Sequence, residues 1–555
     1  MTMSNVIFST ASIAESAVEI IHLLSGISTV KFDYKNSINP AEKIAQFKNV
    51  NKKFEKNVKT FLDTYHEALE SQNETICDLQ ASPQHQLFSF YCEIIYAHIQ
   101  TLATLIFSYM WKSHYTQTDF NHLSRIQTYD TLQKIAEYTK LFESKMKKTS
   151  NIIRRCDSTK VRNETYAAID DLLYAFVINQ RHFENSEEYE CRHSCDKLPD
   201  ELVMYETFNS TGYLDKCPGA IYDCQAGSSY KVCPRNESDE SSTKKYYWMI
   251  DNKSGLTYGN TSHECNTTVL EDAYTINRVM QWDTYTCESC ICRCVDNRIN
   301  TDSKTIRAFS YLWSNTSANM VATGARLVVQ DRMIHIQLRE AKLMPFGNID
   351  KDSERWVPLP EFEYNNYFPS VAILADGTRF PLKRNRHYGK LEQNYGNKIC
   401  LQKIIFDEKH LLTGVRFNAT YFNNNNKDEE RCFNIDTNYG EFNYTTGEIM
   451  SKKSYDKQQK QPTELKLNQP DDPLKFETNV QDSENNQYIK IGVTDLIKDA
   501  SQTTIPYFDL QEVITEPSVP LAGLELFHKG RLDKTSGGYV TLKIHPIDLS
   551  VHMTI

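Results

Sequence analysis

The densest concentration of reactive side chains in this sequence is a run of four thiols, at Cys287, Cys290, Cys292 and Cys294. Thiols at this spacing could bind zinc or form disulfide bonds. A structural zinc site uses two ligand pairs separated by a loop long enough to surround the ion, and four thiols this crowded do not all reach one ion comfortably. We therefore expect disulfide bonds here and no metal.

These thiols belong to a local set of ten cysteines, an even number that can close on itself as five disulfide bonds. The set consists of Cys191, Cys195, Cys217, Cys224, Cys233, Cys265, Cys287, Cys290, Cys292 and Cys294. Outside the set, we expect Cys77 to pair with Cys92 across a turn, and Cys400 to pair with Cys432. Cys156 is left over: it either stays free and links two chains as a homodimer, or bonds into the set of ten. Disulfides in this number indicate an oxidising compartment.

Sequons for N-linked glycosylation support the same compartment. They occur at Asn73, Asn163, Asn209, Asn236, Asn252, Asn260, Asn266, Asn315, Asn418 and Asn443. Five of them fall between Asn209 and Asn266, inside the cysteine-rich stretch, as in the surface of a glycosylated secreted protein.

The start of the sequence does not resemble a signal peptide, which has a basic first region followed by an uninterrupted apolar one. Residues 1–30 contain no Lys or Arg, and Glu15 and Glu19 interrupt the apolar run. We expect secretion nevertheless, either from a longer precursor or by another export route.

Five side chains are candidates for ligand binding. Arg326 and Arg416 occupy equivalent positions in a short repeat, and His335 and His528 lie in strand-like segments. Such groups could bind a carboxylate, a phosphate or a sugar, or they could be strand residues that bond neighbouring carbonyl groups. Trp356 begins an aromatic cluster, which either stacks on a sugar ring or packs in the core. The other members of that cluster are Tyr364, Tyr367 and Phe368.

Catalytic and cofactor motifs are absent from the sequence. It contains no nucleophile elbow, no His-Glu-x-x-His helix and no phosphate-binding loop. We therefore expect a protein that is not an enzyme and uses no cofactor. With 72 acidic and 62 basic side chains the formal net charge is -10, which gives no electrostatic case for nucleic acid as a partner.

The elements that would position these residues change along the chain. Apolar residues at steps of three and four predict amphipathic helices over about 10–190, including 117–150 and 160–186. The segment Leu87 to Trp111 is apolar on nearly every face, but Glu93 and His98 make it costly in lipid. We expect it to be the central helix of a bundle and not a stable transmembrane anchor; a pore-forming helix is the alternative.

Beyond these helices, residues 191–305 show no lasting periodicity and predict disulfide-tied loops. From about residue 306 alternation takes over, as in 333–338 and 539–544, and predicts half-buried antiparallel strands. Thr323-Gly324-Ala325-Arg326-Leu327 recurs as Thr413-Gly414-Val415-Arg416-Phe417, which indicates a duplicated β-module.

The fold class expected from these patterns is α+β and multidomain. An N-terminal antiparallel helical bundle (1–190) precedes a cysteine-rich glycosylated region (191–305) and a sandwich-like antiparallel β-domain with the duplicated unit (306–455). A C-terminal β-extension (456–555) packs on that β-domain.

Four phrases of the sequence resemble a family of secreted arthropod proteins, mostly insect, that is defined by a domain of unknown function. They lie at 323–347, 412–417, 500–509 and 519–530, so the resemblance covers roughly 285–555 and, more loosely, the helical part. It implies secretion and an arthropod source and brings no catalytic residues. The sequence departs from the family's pattern after His528-Lys529-Gly530 and at its start.

Two functions from different classes follow from these expectations. The first is an extracellular, non-catalytic protein that binds glycans or other proteins through its β-domain. The second is a secreted effector, such as a salivary or venom toxin, whose helices act on membranes.

Overall fold

The structure is a computed structural model of the whole chain, and it divides into two compact units. Unit 1 comprises Met1–Ile153 and Pro546–Ile555, and unit 2 comprises Arg154–His545. The described residues are 53, 56–65, 77–170, 172–179, 195, 202–203, 220–227, 229–234, 244–262, 274–276, 279–280, 286–287, 289–295, 306–365, 368–391, 398–423, 429–455 and 461–553. The four segments predicted from sequence remain a prediction.

The described part of unit 1 consists mainly of two long helices, α1 (Pro83–Thr116) and α2 (Asn121–Met146). Ser82 caps α1 by accepting a hydrogen bond from the backbone nitrogen of His85, and Pro83 occupies the first turn, where its missing N–H costs nothing. Phe142 of α2 packs between the rings of Phe90 and Tyr91. Residues 56–65 are also helical.

The interior of α1 does not have the burial expected of a central bundle helix. Tyr96, Ile99, Phe107 and Met110 are each more than half exposed. The stretch Pro83–Phe107 is long and apolar enough to cross a membrane, and only 24% of its most apolar 18 residues are buried. The helix thus carries an apolar face that its described neighbours do not cover.

Unit 2 is built from strands. In its N-terminal part these are β1 (Tyr166–Ala167), β2 (Leu173–Asn179), β3 (Leu202–Val203), β4 (Ala220–Gly227), β5 (Tyr230–Pro234), β6 (Tyr246–Asp251), β7 (Thr257–Gly259), β8 (Tyr274–Ile276), β9 (Val279–Met280), β10 (Thr286–Cys287) and β11 (Ser289–Val295). They form sheets in the orders β2-β11-β4-β3 and β7-β6-β5-β8, and the pair β10-β9.

The C-terminal strands run from residue 308 to residue 546. They are β12 (Ala308–Ser310), β13 (Ser314–Asn315), β14 (Met320–Gln330), β15 (Met333–Leu343), β16 (Ile349–Trp356), β17 (Glu361–Asn365), β18 (Phe368–Ile373), β19 (Arg379–Pro381), β20 (Tyr388–Lys390), β21 (Lys398–Ile405), β22 (His410–Asn423), β23 (Glu429–Asn443), β24 (Glu448–Ser454), β25 (Thr463–Glu464), β26 (Val480–Gln481), β27 (Gln487–Lys490), β28 (Gly492–Val493), β29 (Thr504–Ile505), β30 (Tyr507–Asp509), β31 (Val513–Ile514), β32 (Leu521–Gly530) and β33 (Tyr539–Pro546). A short helix, α3 (Leu496–Asp499), and 3-10 turns at Pro345–Gly347, Pro473–Lys475 and Leu549–His552 interrupt them.

The fold class predicted from the sequence is wrong. Of the described residues, 45% lie in strands and 22% in helices, and there is no N-terminal helical bundle among them. The segment 160–186 shows why: its apolar spacing suits a helix, yet it contains β2. One face of β2 packs Tyr174, Phe176 and Ile178, and the other packs Ala175 and Val177. A strand buried on both faces shows a continuous apolar run, which periodicity does not separate from a helix.

The described part of the cysteine-rich region contains strands paired into sheets, where the sequence predicts disulfide-tied loops. In its central strand, β11, Cys290, Cys292 and Cys294 alternate with Ile291 and Arg293, and all three cysteines point to one buried face. The crowded thiols thus follow the two-residue period of a strand.

The two copies of the short repeat lie at matching positions of two hairpins. In the hairpin β14–β15 the register shifts between Ala322 and Gly324, and in the hairpin β22–β23 it shifts between Leu412 and Gly414. The repeated Thr-Gly pair therefore forms a β-bulge in both hairpins, with Thr323 and Thr413 buried. Each hairpin continues into a third antiparallel strand: β16 follows β14–β15, and β24 follows β22–β23. A strand that precedes each hairpin runs parallel to its second strand, β12 beside β15 and β21 beside β23.

Two features connect the parts of unit 2. Phe309 packs against the rings of Phe417, Phe433 and Phe508. Its strand, β12, pairs with β15 of the first hairpin, so Phe309 links that hairpin to the second. The side chain of Gln502 accepts hydrogen bonds from the backbone nitrogens of residues 245 and 246, and donates to the carbonyls of residues 175 and 500. The phrase at 500–509 is therefore a structural junction.

Candidate functional site

Arg326 lies on β14 directly opposite Gln337 of β15. Its Nε donates to Oε1 of Gln337 at 2.9 Å, and its Nη1 forms an ion pair with Glu512. The guanidinium also lies over the indole ring of Trp356, 4.2 Å from the ring centroid. The structure thus brings together two of the predicted binding residues, Arg326 and Trp356.

Arg416 occupies the matching position of the second hairpin, opposite Asp436. Its Nε and Nη2 donate to Oδ2 of Asp436 at 3.2 and 3.0 Å, and Asn418 donates to the same oxygen at 2.7 Å. The guanidinium lies over Trp313, 4.5 Å from the ring centroid. Sequence reasoning missed Trp313, although it lies ten residues before the first repeat and could have been found as a second tryptophan of the module.

The two arginine–tryptophan pairs are alike in chemistry but not in origin. Trp356 ends β16, a strand beside β15, whereas Trp313 directly precedes β13, which pairs with β22 from the other side. In both pairs the arginine side chain is about a quarter exposed and donates a hydrogen bond to the side chain directly opposite it. Each pair thus presents a fixed cation beside an aromatic plane, an arrangement that can stack on and hydrogen-bond to a polar ring.

The two predicted histidines lie elsewhere and are buried. His335 on β15 is 2% exposed, its Nε2 has no hydrogen-bond partner, and burial lowers its pKa to about 4, so the ring is neutral at pH 7. His528 on β32 is fully buried, with Nδ1 2.7 Å from Oδ1 of Asp482 and Nε2 3.1 Å from the carbonyl of Gly537. Both are core groups, and neither reaches the arginine pairs with a described contact.

Of the other aromatic residues expected around Trp356, the structure describes the side chain of Tyr364, and its described contacts lie elsewhere. The Tyr364 hydroxyl donates to the carbonyl of Asp331, and its ring lies under Arg332. Tyr367 and the side chain of Phe368 fall outside the described residues. Stacking at Trp356 is therefore with arginine.

Disulfide bonds join Cys195 to Cys290, Cys224 to Cys292 and Cys400 to Cys432. The last of these confirms a predicted pair, and Cys233 and Cys294 are also bonded. Cys191, Cys217, Cys265 and the side chain of Cys287 lie outside the described residues.

The predicted pair Cys77–Cys92 is wrong, because Cys92 is a free, exposed thiol while Cys77 is disulfide-bonded. The expected turn at Pro83 is in fact the start of α1, which places Cys92 about 14 Å along the helix from that residue. Cys156 is disulfide-bonded as well, so it is not the unpaired cysteine on which the predicted homodimer depended.

Disulfides in this number suggest an oxidising, extracellular compartment.

The predicted sequons differ in accessibility. Asn163, Asn252, Asn260, Asn315 and Asn443 are exposed, whereas the Nδ2 of Asn418 is engaged with Asp436 in mid-strand. Asn73, Asn209, Asn236 and Asn266 lie outside the described residues.

Comparison with known proteins gives a family of uncharacterised domains and no function. No group of three or more His, Cys, Asp or Glu side chains that could hold a metal ion occurs in the described part of the chain. No curated protein matches this chain. The matched region begins before α1 and ends in β15, so it overlaps the predicted resemblance at 285–338 and also in the helical part that resembles the family more loosely. Residues 74–338 match the family described as a domain of unknown function (DUF4803).

Proposed function

We propose that this protein is a secreted, non-catalytic glycoprotein that binds glycans or other extracellular proteins through its duplicated β-module. The observation that carries the proposal is the pair of arginine–tryptophan stacks, Arg326 with Trp356 and Arg416 with Trp313, at matched positions of two bulged hairpins. The disulfides support the extracellular setting, and an arthropod source remains part of the proposal.

Sugar rings suit these stacks better than most small molecules do. A sugar ring has an apolar face that packs on an indole and a rim of hydroxyl groups that bonds to a guanidinium or a carboxylate. Asp436 and Gln337 supply acceptors beside the two cations. Two such surfaces on one chain would also strengthen binding to a repeating glycan through effective concentration.

A glycan array probed with the full-length chain tests the proposal. We expect binding that falls strongly in Trp356→Ala and Trp313→Ala. The matched control is Tyr421→Ala, which removes an aromatic ring that is 51% exposed on the strand of Arg416. Binding that survives both tryptophan substitutions would refute this location, and silence across all sugars would remove glycans and leave protein partners.

A second candidate function, action on membranes, is supported by one specific observation. The exposed residues Tyr96, Ile99, Phe107 and Met110 form one stripe along α1, since their spacing keeps them within about 80° around a helix of 3.6 residues per turn. Leakage of dye from liposomes with the full-length chain tests it. Release that disappears in Ile99→Asp/Phe107→Asp supports the membrane function, and no release by the wild type would eliminate it.

A further inference from the structure

We propose that unit 2 contains a second binding site, a cleft beside the disulfide-bonded sheet that takes a small sugar carrying a carboxylate. This inference goes beyond the proposed function, because the cleft shares no residue with the arginine–tryptophan pairs. Its volume is about 290 Å³, at the small end of ligand pockets. The cleft lies between strands β2, β4 and β11 and the segments 469–470 and 493–501.

Arg293 is the group that would bind the carboxylate. It is the one exposed residue in the otherwise buried strand β11, and its Nε lies 3.2 Å from Oδ2 of Asp223. That ion pair engages Nε, and Arg293 lines the cleft. Within the described part of the chain its two terminal amino groups have no hydrogen-bond partner, so we assign them to the ligand. Two parallel N–H groups on a planar fork match the two oxygens of a carboxylate.

The position of Asp223 depends on the disulfide beside it. Ile291 pairs with Gln225, and Arg293 pairs with Tyr222, so Asp223 and Cys224 together face Cys292 across a β-bulge. Asp223 has a φ of 51°, in the left-handed region. The bond between Cys224 and Cys292 closes the bulge covalently. The disulfide therefore holds the carboxylate that orients Arg293.

The remaining lining explains why a sugar acid fits better than a simple anion. Asp495 brings a second negative charge, and its Oδ1 is fixed by the backbone nitrogens of Ile497 and Lys498. The two carboxylates of Asp223 and Asp495 repel a simple anion, because they outnumber the single arginine. A ligand with both a carboxylate and hydroxyl groups can bind Arg293 through its carboxylate and donate hydrogen bonds from its hydroxyl groups to the aspartates. Gln225 adds an amide, and Ile291 supplies an apolar floor for the ring.

Isothermal titration of the full-length protein with sodium glucuronate tests this site. We expect saturable binding, about tenfold or more weaker in Arg293→Gln, which loses charge-assisted bonds. Binding should be unchanged in the matched control Arg531→Gln, because Arg531 is similarly exposed and also pairs through Nε with an aspartate, Asp533, but lies outside both proposed sites. Glucose, which lacks the carboxylate, and acetate, which lacks the hydroxyls, should each bind more weakly than glucuronate. Absence of heat with the wild type up to about 10 mM, or equal affinity in Arg293→Gln, would overturn the proposal.

Two further variants test the role of the bulge. Cys224→Ser/Cys292→Ser should weaken glucuronate binding, and because this variant could unfold, Asp223→Asn provides the same test with the disulfide intact. Full affinity in Asp223→Asn would contradict the orienting role and with it the proposed site. A glycan that ends in glucuronate, titrated in parallel, identifies the source: binding of the free acid alone supports a soluble ligand, and binding of both supports a glycan terminus.

Discussion

Replacing His335 by leucine will make the folded protein less sensitive to acid. The imidazole is buried on β15, and burial lowers its pKa from 6.5 to about 4. Below pH 6.5 the unfolded chain binds a proton on this ring, whereas the folded protein does not do so until about pH 4. Stability that is present above pH 6.5 is therefore lost progressively as the pH falls toward 4.

The size of this loss follows from the pKa difference. Each pH unit inside the window costs about 1.4 kcal/mol of unfolding free energy, so the ring accounts for about 2 kcal/mol between its normal pKa and pH 5. Over the whole window the loss is about 3 kcal/mol. Leucine has a similar volume and no titrating group, so His335→Leu should lack this component while keeping the contact with Phe362.

Urea unfolding without reductant, followed by tryptophan fluorescence at about pH 7.5 and about pH 5, measures the effect. The decrease in unfolding free energy between the two conditions should be about 2 kcal/mol smaller in His335→Leu than in the wild type. His122→Leu, the same substitution at an exposed position of α2, should keep the wild-type dependence. Equal pH dependence in His335→Leu and the wild type would refute the assignment of a neutral, buried ring.

Three other substitutions test the packing of unit 2. Lys529→Met removes the cation that lies 2.8 Å from Asp157 and 2.6 Å from Asp509; it should cost about 3–5 kcal/mol in urea unfolding, since two buried carboxylates lose their partner. Gly414→Ala places a Cβ 2.1 Å from Oδ1 of Asn315 and should lower the unfolding free energy, measured in thermal melts, by about 1–3 kcal/mol. Gly492→Ala is the control and should leave the melt unchanged, because a Cβ there meets nothing within 4 Å. Cys400→Ser/Cys432→Ser opens a loop with a sequence separation of 32 and should cost about 3–4 kcal/mol by calorimetry; no change in the melting temperature would contradict a stabilising role.

The sequence was most informative where a local pattern has one physical solution. Alternation over 333–338 and 539–544 predicted β15 and β33. The five-residue repeat predicted a duplicated β-module, and in the structure its Thr-Gly pair lies at the register shift of two hairpins. The repeat by itself did not pair Arg416 with Trp313, because Trp313 lies outside the repeated residues and reaches Arg416 through tertiary packing.

Predictions failed where one pattern has two solutions. The apolar run 172–178 suits a buried strand as well as a helix, and only its two packed neighbours decide between them. The alternation from Cys290 to Cys294 is itself a strand signal, but interpreting these residues as thiol chemistry concealed it. The cleft beside Arg293 was beyond prediction because its lining comes from segments more than 300 residues apart, from Ala175 to Ser501.

The cross-links of β11 also determine how unit 2 would respond to a pulling force. A chain drawn from its two ends transmits tension through the shortest covalent path, and the bond from Cys195 to Cys290 bypasses 95 positions of sequence. The chain between these two cysteines, about 330 Å when fully extended, would therefore bear no tension even if its hydrogen bonds broke. The bond from Cys224 to Cys292 overlaps this loop, and the bond from Cys400 to Cys432 removes β22 from the load in the same way. Of the two hairpins, only β14–β15 would therefore extend over its full length.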